Sequence, residues 1–171
     1  QGNEEEIVDR LDDFHNNVKD PNKINIIIKK ISEINTSDDD NDSILVRQLL
    51  TNRNLTPENY ELLFEKIIDT NEDPSISLIL WAIDYGYKFT TFSKETQENL
   101  VVNALRYLNK DFKYEWMLTN AAFEFEKLGI FGAKIQMFFA ASDNDDIRRK
   151  LASITKEPKI FQYLLDHEND P

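Results

Sequence analysis

Apolar residues recur at helical spacing along nearly the whole chain. Over Glu4–Lys19, Ile7, Leu11, Phe14 and Val18 fall at i, i+4, i+7 and i+11, one stripe on a helix. Asp20-Pro21-Asn22 interrupts that stripe and opens the next, because Pro has no N–H to leave unpaired in a first helical turn. Lys23–Asn35 then offers Ile24, Ile27, Ile28, Ile31 and Ile34 at the same spacing, with a strand over Ile24–Ile28 as the minor alternative. The pattern predicts further helices over Ser43–Thr51, Thr56–Asp69, Pro74–Tyr85, Ser93–Asn109, Phe112–Leu128, Gly132–Ala141, Asp145–Ile154 and Pro158–His167. No credible run of alternating strand positions interrupts them, so the expected class is all-α.

Punctuation supports these boundaries. Thr56-Pro57-Glu58-Asn59 sets Thr at an N-cap and Pro at the first helical position, and Ser93 precedes an acidic first turn. Gly86 and Gly129 stand where C-terminal caps are needed. Thr36–Ser43, with four Asp and one Asn, reads as an exposed loop. The expected organisation is one helical domain over 1–171: a helix pair at 1–35, an acidic loop at 36–43 and packed helices over 44–171.

Short helices between polar turns invite a search for repeats. Asp42-Ser43-Ile44-Leu45-Val46-Arg47 leads through Thr56-Pro57 into Tyr60-Glu61-Leu62-Leu63-Phe64. Asp146-Ile147-Arg148-Arg149 leads through Glu157-Pro158 into Ile160-Phe161-Gln162-Tyr163-Leu164-Leu165. The pattern resembles α-solenoid repeats of the HEAT and leucine-rich-repeat-variant kind, in which an Asp-rich turn precedes a Val-Arg helix. Asp42–Ile68 and Asp145–Asp170 match best. Asp73–Leu100 has lost the Arg, and residues 105–140 depart further. The resemblance implies an α-α superhelix, a short HEAT-like solenoid of about eight to ten helices. Asp170-Pro171 looks like the start of another turn, so a further repeat is expected in the parent protein.

Composition narrows the chemistry. The 171 residues include 32 acidic and 20 basic side chains, a net charge of -12, with no cysteine, two histidines and four glycines. Disulfides, Cys-ligated metals and thiol nucleophiles are excluded. So strong a negative charge argues against nucleic acid or an anionic membrane as partner. The polar, acidic start is unlike a signal peptide and no apolar run is long enough to span a bilayer, so a cytoplasmic location is expected.

Catalytic motifs are missing: no phosphate-binding or dinucleotide loop, no nucleophile elbow, no His-Glu-x-x-His helix. Asp12 and His15 share a face, but one such pair lacks the other ligand helices of a di-iron bundle. His167 reads as a cation at a helix C-terminus. Asp38-Asp39-Asp40-Asn41-Asp42 begins like a calcium loop, then offers Ser43 for the required Gly and Leu49 for the bidentate Glu. Asp143-Asn144-Asp145 fails sooner. No metal, cofactor or catalytic residue is therefore assigned.

Two surfaces remain as candidates. Glu58, Glu61, Glu65 and Asp69 fall within an arc of about 80° on one helix, with Tyr60, Leu63, Phe64 and Ile67 opposite. The stripe reads either as a solvated outer face or as a docking surface for a basic protein, whose encounter the charge would speed. Phe112, Tyr114, Trp116 and Phe123 form a second cluster, of which Phe112, Trp116 and Phe123 lie off the main apolar stripe of their helix (Leu118, Ala121, Ala122, Phe125, Leu128), and a central solenoid helix can bury such residues on a second face. Tyr114 and Trp116, if exposed, are natural interface anchors. The expectation is a non-enzymatic protein-binding module, most concretely an acidic inhibitor such as an immunity protein against a basic nuclease toxin. The alternatives are a repeat fragment of a larger scaffold, or a solenoid nucleic-acid enzyme with a dispersed acidic site.

Overall fold

A computed structural model of the chain describes residues 18–31, 49–70, 79–80, 83–84, 86, 88–109 and 115–168. Every regular element among them is helical, and no strand occurs. The bounded helices are α1 (Pro21–Ile31), α2 (Pro57–Thr70), α3 (Lys94–Leu108), α4 (Glu115–Lys127), α5 (Ala133–Ala140), α6 (Asp145–Ile154) and α7 (Pro158–Glu168), with one 3-10 turn at Phe89–Thr91. Among the described residues that makes seven, fewer than the eight to ten expected of the whole chain. The helices predicted over Glu4–Lys19, Ser43–Thr51 and Pro74–Tyr85 fall largely outside the described residues, though 49–50, 79–80 and 83–84 are helical. Val18 and Lys19 are not helical, and the strand alternative at Ile24–Ile28 is replaced by α1.

The chain divides into two compact units, Gln1–Ser93 and Lys94–Pro171. In the first, α1 packs on α2. Ile24 and Ile28 of α1, and Tyr60, Leu63 and Phe64 of α2, are buried as their spacing predicts. The start of α2 is a reciprocal cap. Thr56 Oγ1 accepts from the Asn59 amide at 3.3 Å while Asn59 Oδ1 accepts from the Thr56 amide at 2.8 Å. The other end of the same carboxamide donates to Asn25 Oδ1 (2.7 Å) and the Pro21 carbonyl (3.3 Å), which joins the two helices at a buried point.

The second unit packs helices two apart in sequence, α3 on α5, α5 on α7 and α4 on α6, with neighbours α5–α6 and α6–α7 also in contact. Its core takes Leu100, Val101 and Leu105 from α3, Leu118, Ala121, Ala122 and Phe125 from α4, Phe139 from α5, Leu151 from α6 and Leu164 from α7. Gly129 ends α4 in the left-handed region (φ 69°). The Ile130 amide bonds the Phe125 carbonyl at 3.2 Å and the Gly129 amide the Glu126 carbonyl at 3.0 Å, a Schellman closure after which Ile130 is buried.

The Ile147-Arg148 turn also has a defined role. Arg148 ion-pairs with Asp145 and donates to the Ser142 carbonyl at 2.7 Å, so the arginine clamps the turn before its own helix. The cap of α6 is Asn144, whose Oδ1 accepts from the Asp146 amide at 2.9 Å and the Ile147 amide at 3.4 Å. The polar run at 143–145 therefore serves the helix start.

Candidate functional site

Helix α2 positions the acidic stripe by periodicity alone. Tyr60, Leu63 and Phe64 anchor one side in the core, and the opposite side presents Glu58 and Glu61 exposed with Glu65 half-buried. Asp69 belongs to α2, but its side chain lies outside the described residues. Glu58 stands in the first turn, where its own backbone N–H and the Thr56 hydroxyl hold its carboxyl below the usual carboxylate range, against a small opposing effect of burial. Tyr114 lies outside the described residues, as does the side chain of Trp116 in α4. The structure thus places Glu58, Glu61 and Glu65 on one face, and says nothing of a joint surface with Tyr114 and Trp116.

The charge is unevenly shared. Residues 1–93 carry nine Lys and Arg against nineteen Asp and Glu, a balance of -10, whereas 94–171 carry eleven against thirteen, a balance of -2. Almost all of the excess therefore belongs to the unit that holds the stripe.

A cleft of about 400 Å³ lies in the second unit, where the first turn of α3 meets the loop before α5 and the α6–α7 turn. Glu98 of α3 enters it and accepts from the Lys134 amide at 3.3 Å, which caps the start of α5 from another helix. Gly132 permits this, since a Cβ there would fall 1.4 Å from Glu98 Oε1. Gln136 donates to the Phe131 carbonyl (2.8 Å) and accepts from Thr155 Oγ1 (2.6 Å), tying the loop to the next turn. Lys94, Lys156, Glu126 and Glu157 complete a lining of mixed sign, which selects neither a cation nor an anion.

No group of three His, Asp or Glu among the described residues is placed to hold a metal ion. Asp38–Asp42 and His15 lie outside those residues. His167 sits in the last turn of α7, where its Nδ1–H donates to the Tyr163 carbonyl at 3.0 Å and its ring stacks on Tyr163 at 4.0 Å. No described helix is long and apolar enough to cross a membrane. Sequence spacing singled out neither Glu98 nor Gly132, because their relation spans 34 residues and exists only once α3 meets α5.

No family model, curated protein or solved structure matches this chain.

Proposed function

We propose that the chain is a non-enzymatic protein-binding module that holds a basic partner against the acidic face of α2. The observation that carries this reading is the exposure of Glu58 and Glu61, with Glu65 beside them, on a helix whose other face is locked into the core. Three carboxylates carried on one helical backbone offer a cationic surface a counterpart whose spacing is set before binding. The balance of -10 in the surrounding unit would draw such a partner in over about one Debye length. The most concrete form is a cytoplasmic inhibitor that occupies the phosphate-binding cleft of a basic enzyme such as a nuclease toxin, as an immunity protein does.

The solenoid arrangement belongs to the same proposal. Packing of α3 on α5 on α7, with α4 on α6, is what two stacked layers of helices require. The Asp145–Arg148 clamp matches the Asp-turn and Val-Arg feature of such repeats.

Affinity capture from the native cell followed by charge reversal tests the reading. The expected result is a basic protein at one-to-one stoichiometry whose affinity falls with salt, and a further drop of about tenfold or more for Glu61→Lys with Glu65→Lys, with the salt slope reduced. Unchanged affinity and salt dependence in that variant would remove the stripe from the interface.

A further inference from the structure

A second cleft, of about 300 Å³, opens beside the C-terminal end of α3, where α5 and the start of α6 close it. Its floor is apolar, from Leu118, Phe138 and Ile147, and Met137 stands at its side 39% exposed. Its polar side chains are Arg106 in the last turn of α3, Asn109 just beyond that helix, Lys134 and Ser142. Among the described residues no carboxylate lines it, although acidic residues outnumber basic ones in the chain by 32 to 20.

The two cations differ in availability. Lys134 is already held by Glu95 Oε1 at 3.0 Å and Asn99 Oδ1 at 2.8 Å. Arg106 is exposed and has no ion pair or side-chain hydrogen bond among the described residues. Asn109, one turn further on, keeps its Oδ1 away from solvent and without a hydrogen-bond partner. An acceptor left in that state costs about 1–3 kcal/mol, and a turn about the soft carboxamide torsion would carry it from its shielded position to a donor in the cleft. The α3 carboxyl terminus is itself partly negative, so the guanidinium is what makes this site receptive to an anion. Its unit carries only -2, so an incoming carboxylate meets little general repulsion.

We infer that this cleft binds the C-terminal residue of a peptide that ends in an apolar side chain. Arg106 takes the terminal carboxylate in a forked pair, Asn109 Oδ1 accepts the terminal residue's N–H, and the side chain packs on Met137 and Phe138. Methionine suits such a shelf because it adapts to varied aliphatic shapes. Asn109 separates a peptide terminus from a plain fatty acid, which brings a carboxylate and an apolar tail but no N–H. The inference does not depend on the acidic stripe, which lies in the other unit.

The test is a titration of the full ¹⁵N-labelled chain with acetyl-Ala-Ala-Leu bearing a free carboxylate, with its C-terminal amide, and with octanoate. The expected result is saturable shifts at the Met137 and Phe138 amides with the free acid, and about tenfold weaker binding of both the amide and octanoate. Arg106→Gln should abolish the preference for acid over amide, and Asn109→Leu the preference for tripeptide over octanoate. Equal binding of acid and amide by the native chain overturns the role of Arg106, whatever the variants do. Octanoate binding as tightly as the tripeptide, or no saturable shift by about 10 mM, overturns the peptide assignment.

Discussion

Tyr60 is 0% exposed and meets Phe64, Phe89 and Phe92 edge to face at 6.0, 5.7 and 5.6 Å, yet its hydroxyl has no partner of ordinary geometry. Burial pushes the phenol well above its usual range, and the nearby backbone N–H groups of Phe89 and Lys88 offset only part of that. Deleting the oxygen removes a desolvation cost without breaking a bond, so Tyr60→Phe should unfold at equal or higher urea, a gain of about 0–1 kcal/mol. Tyr60→Ala should lose about 3–5 kcal/mol. The sign with pH follows: the folded state favours the neutral phenol, so its contribution is complete below about pH 10 and is lost as pH rises toward the folded value. The alkaline fall in stability above about pH 10 should be shallower in Tyr60→Phe. Gly132 makes a different residue-scale case. Gly132→Ala must displace the flexible end of Glu98 from the Lys134 amide, a lost cap of about 1 kcal/mol, while Gly132→Ser displaces Glu98 but supplies its own hydroxyl. Thermal melts should therefore rank native above Ser above Ala, and a Ser variant no better than Ala would deny that Glu98 caps the helix.

At the scale of elements, helix starts and buried faces were legible because each is decided within four residues. Thr56-Pro57 opened α2 where expected, Leu118, Ala121, Ala122 and Phe125 formed the buried stripe of α4, and Gly129 closed it. What joins helices was not legible. Asn59 reads locally as a helix-start residue, but its amide crosses to Asn25 and Pro21, some 34 to 38 positions earlier. The cap of α6 is Asn144 and not a neighbouring aspartate, since its side chain reaches two amides while Asp145 faces Arg148. The anion-receptive cleft was equally hidden, since Arg106 and Met137 meet only when α3 packs beside α5. Asn59→Ala should separate these roles from a surface cap. It strips the Thr56 amide, the Pro21 carbonyl and Asn25 of their partners in a buried setting, so the expected cost is about 2–4 kcal/mol. Asn144→Ala, at a half-buried helix start, should cost about 1 kcal/mol. Chemical denaturation of the two variants compares them directly, and equal costs would mean that the Asn59 contacts to α1 contribute nothing beyond the cap.

For the whole molecule, the net charge of -12 is less informative than its division into -10 and -2. Like charges within one compact unit repel, and added salt screens that repulsion with a Debye length that shrinks from about 30 Å at 0.01 M to about 10 Å at 0.1 M. The first unit should therefore gain stability from salt and the second should gain little. Each unit holds one tryptophan, Trp81 and Trp116, so Trp116→Phe and Trp81→Phe give reporters of the first and second unit in turn. Between about 10 and 300 mM NaCl, over which the Debye length falls from about 30 Å to below about 8 Å, the Trp81 transition should rise by about 2–5 °C and the Trp116 transition by less than half of that. Two transitions moving together would mean that the units unfold as one cooperative block, with the field of the first shared by the second. Separate movement would locate the repulsion in the unit that bears Glu58, Glu61 and Glu65. A cationic partner that screens those carboxylates should then raise the Trp81 transition most at low salt, by binding the folded unit in preference to the unfolded chain.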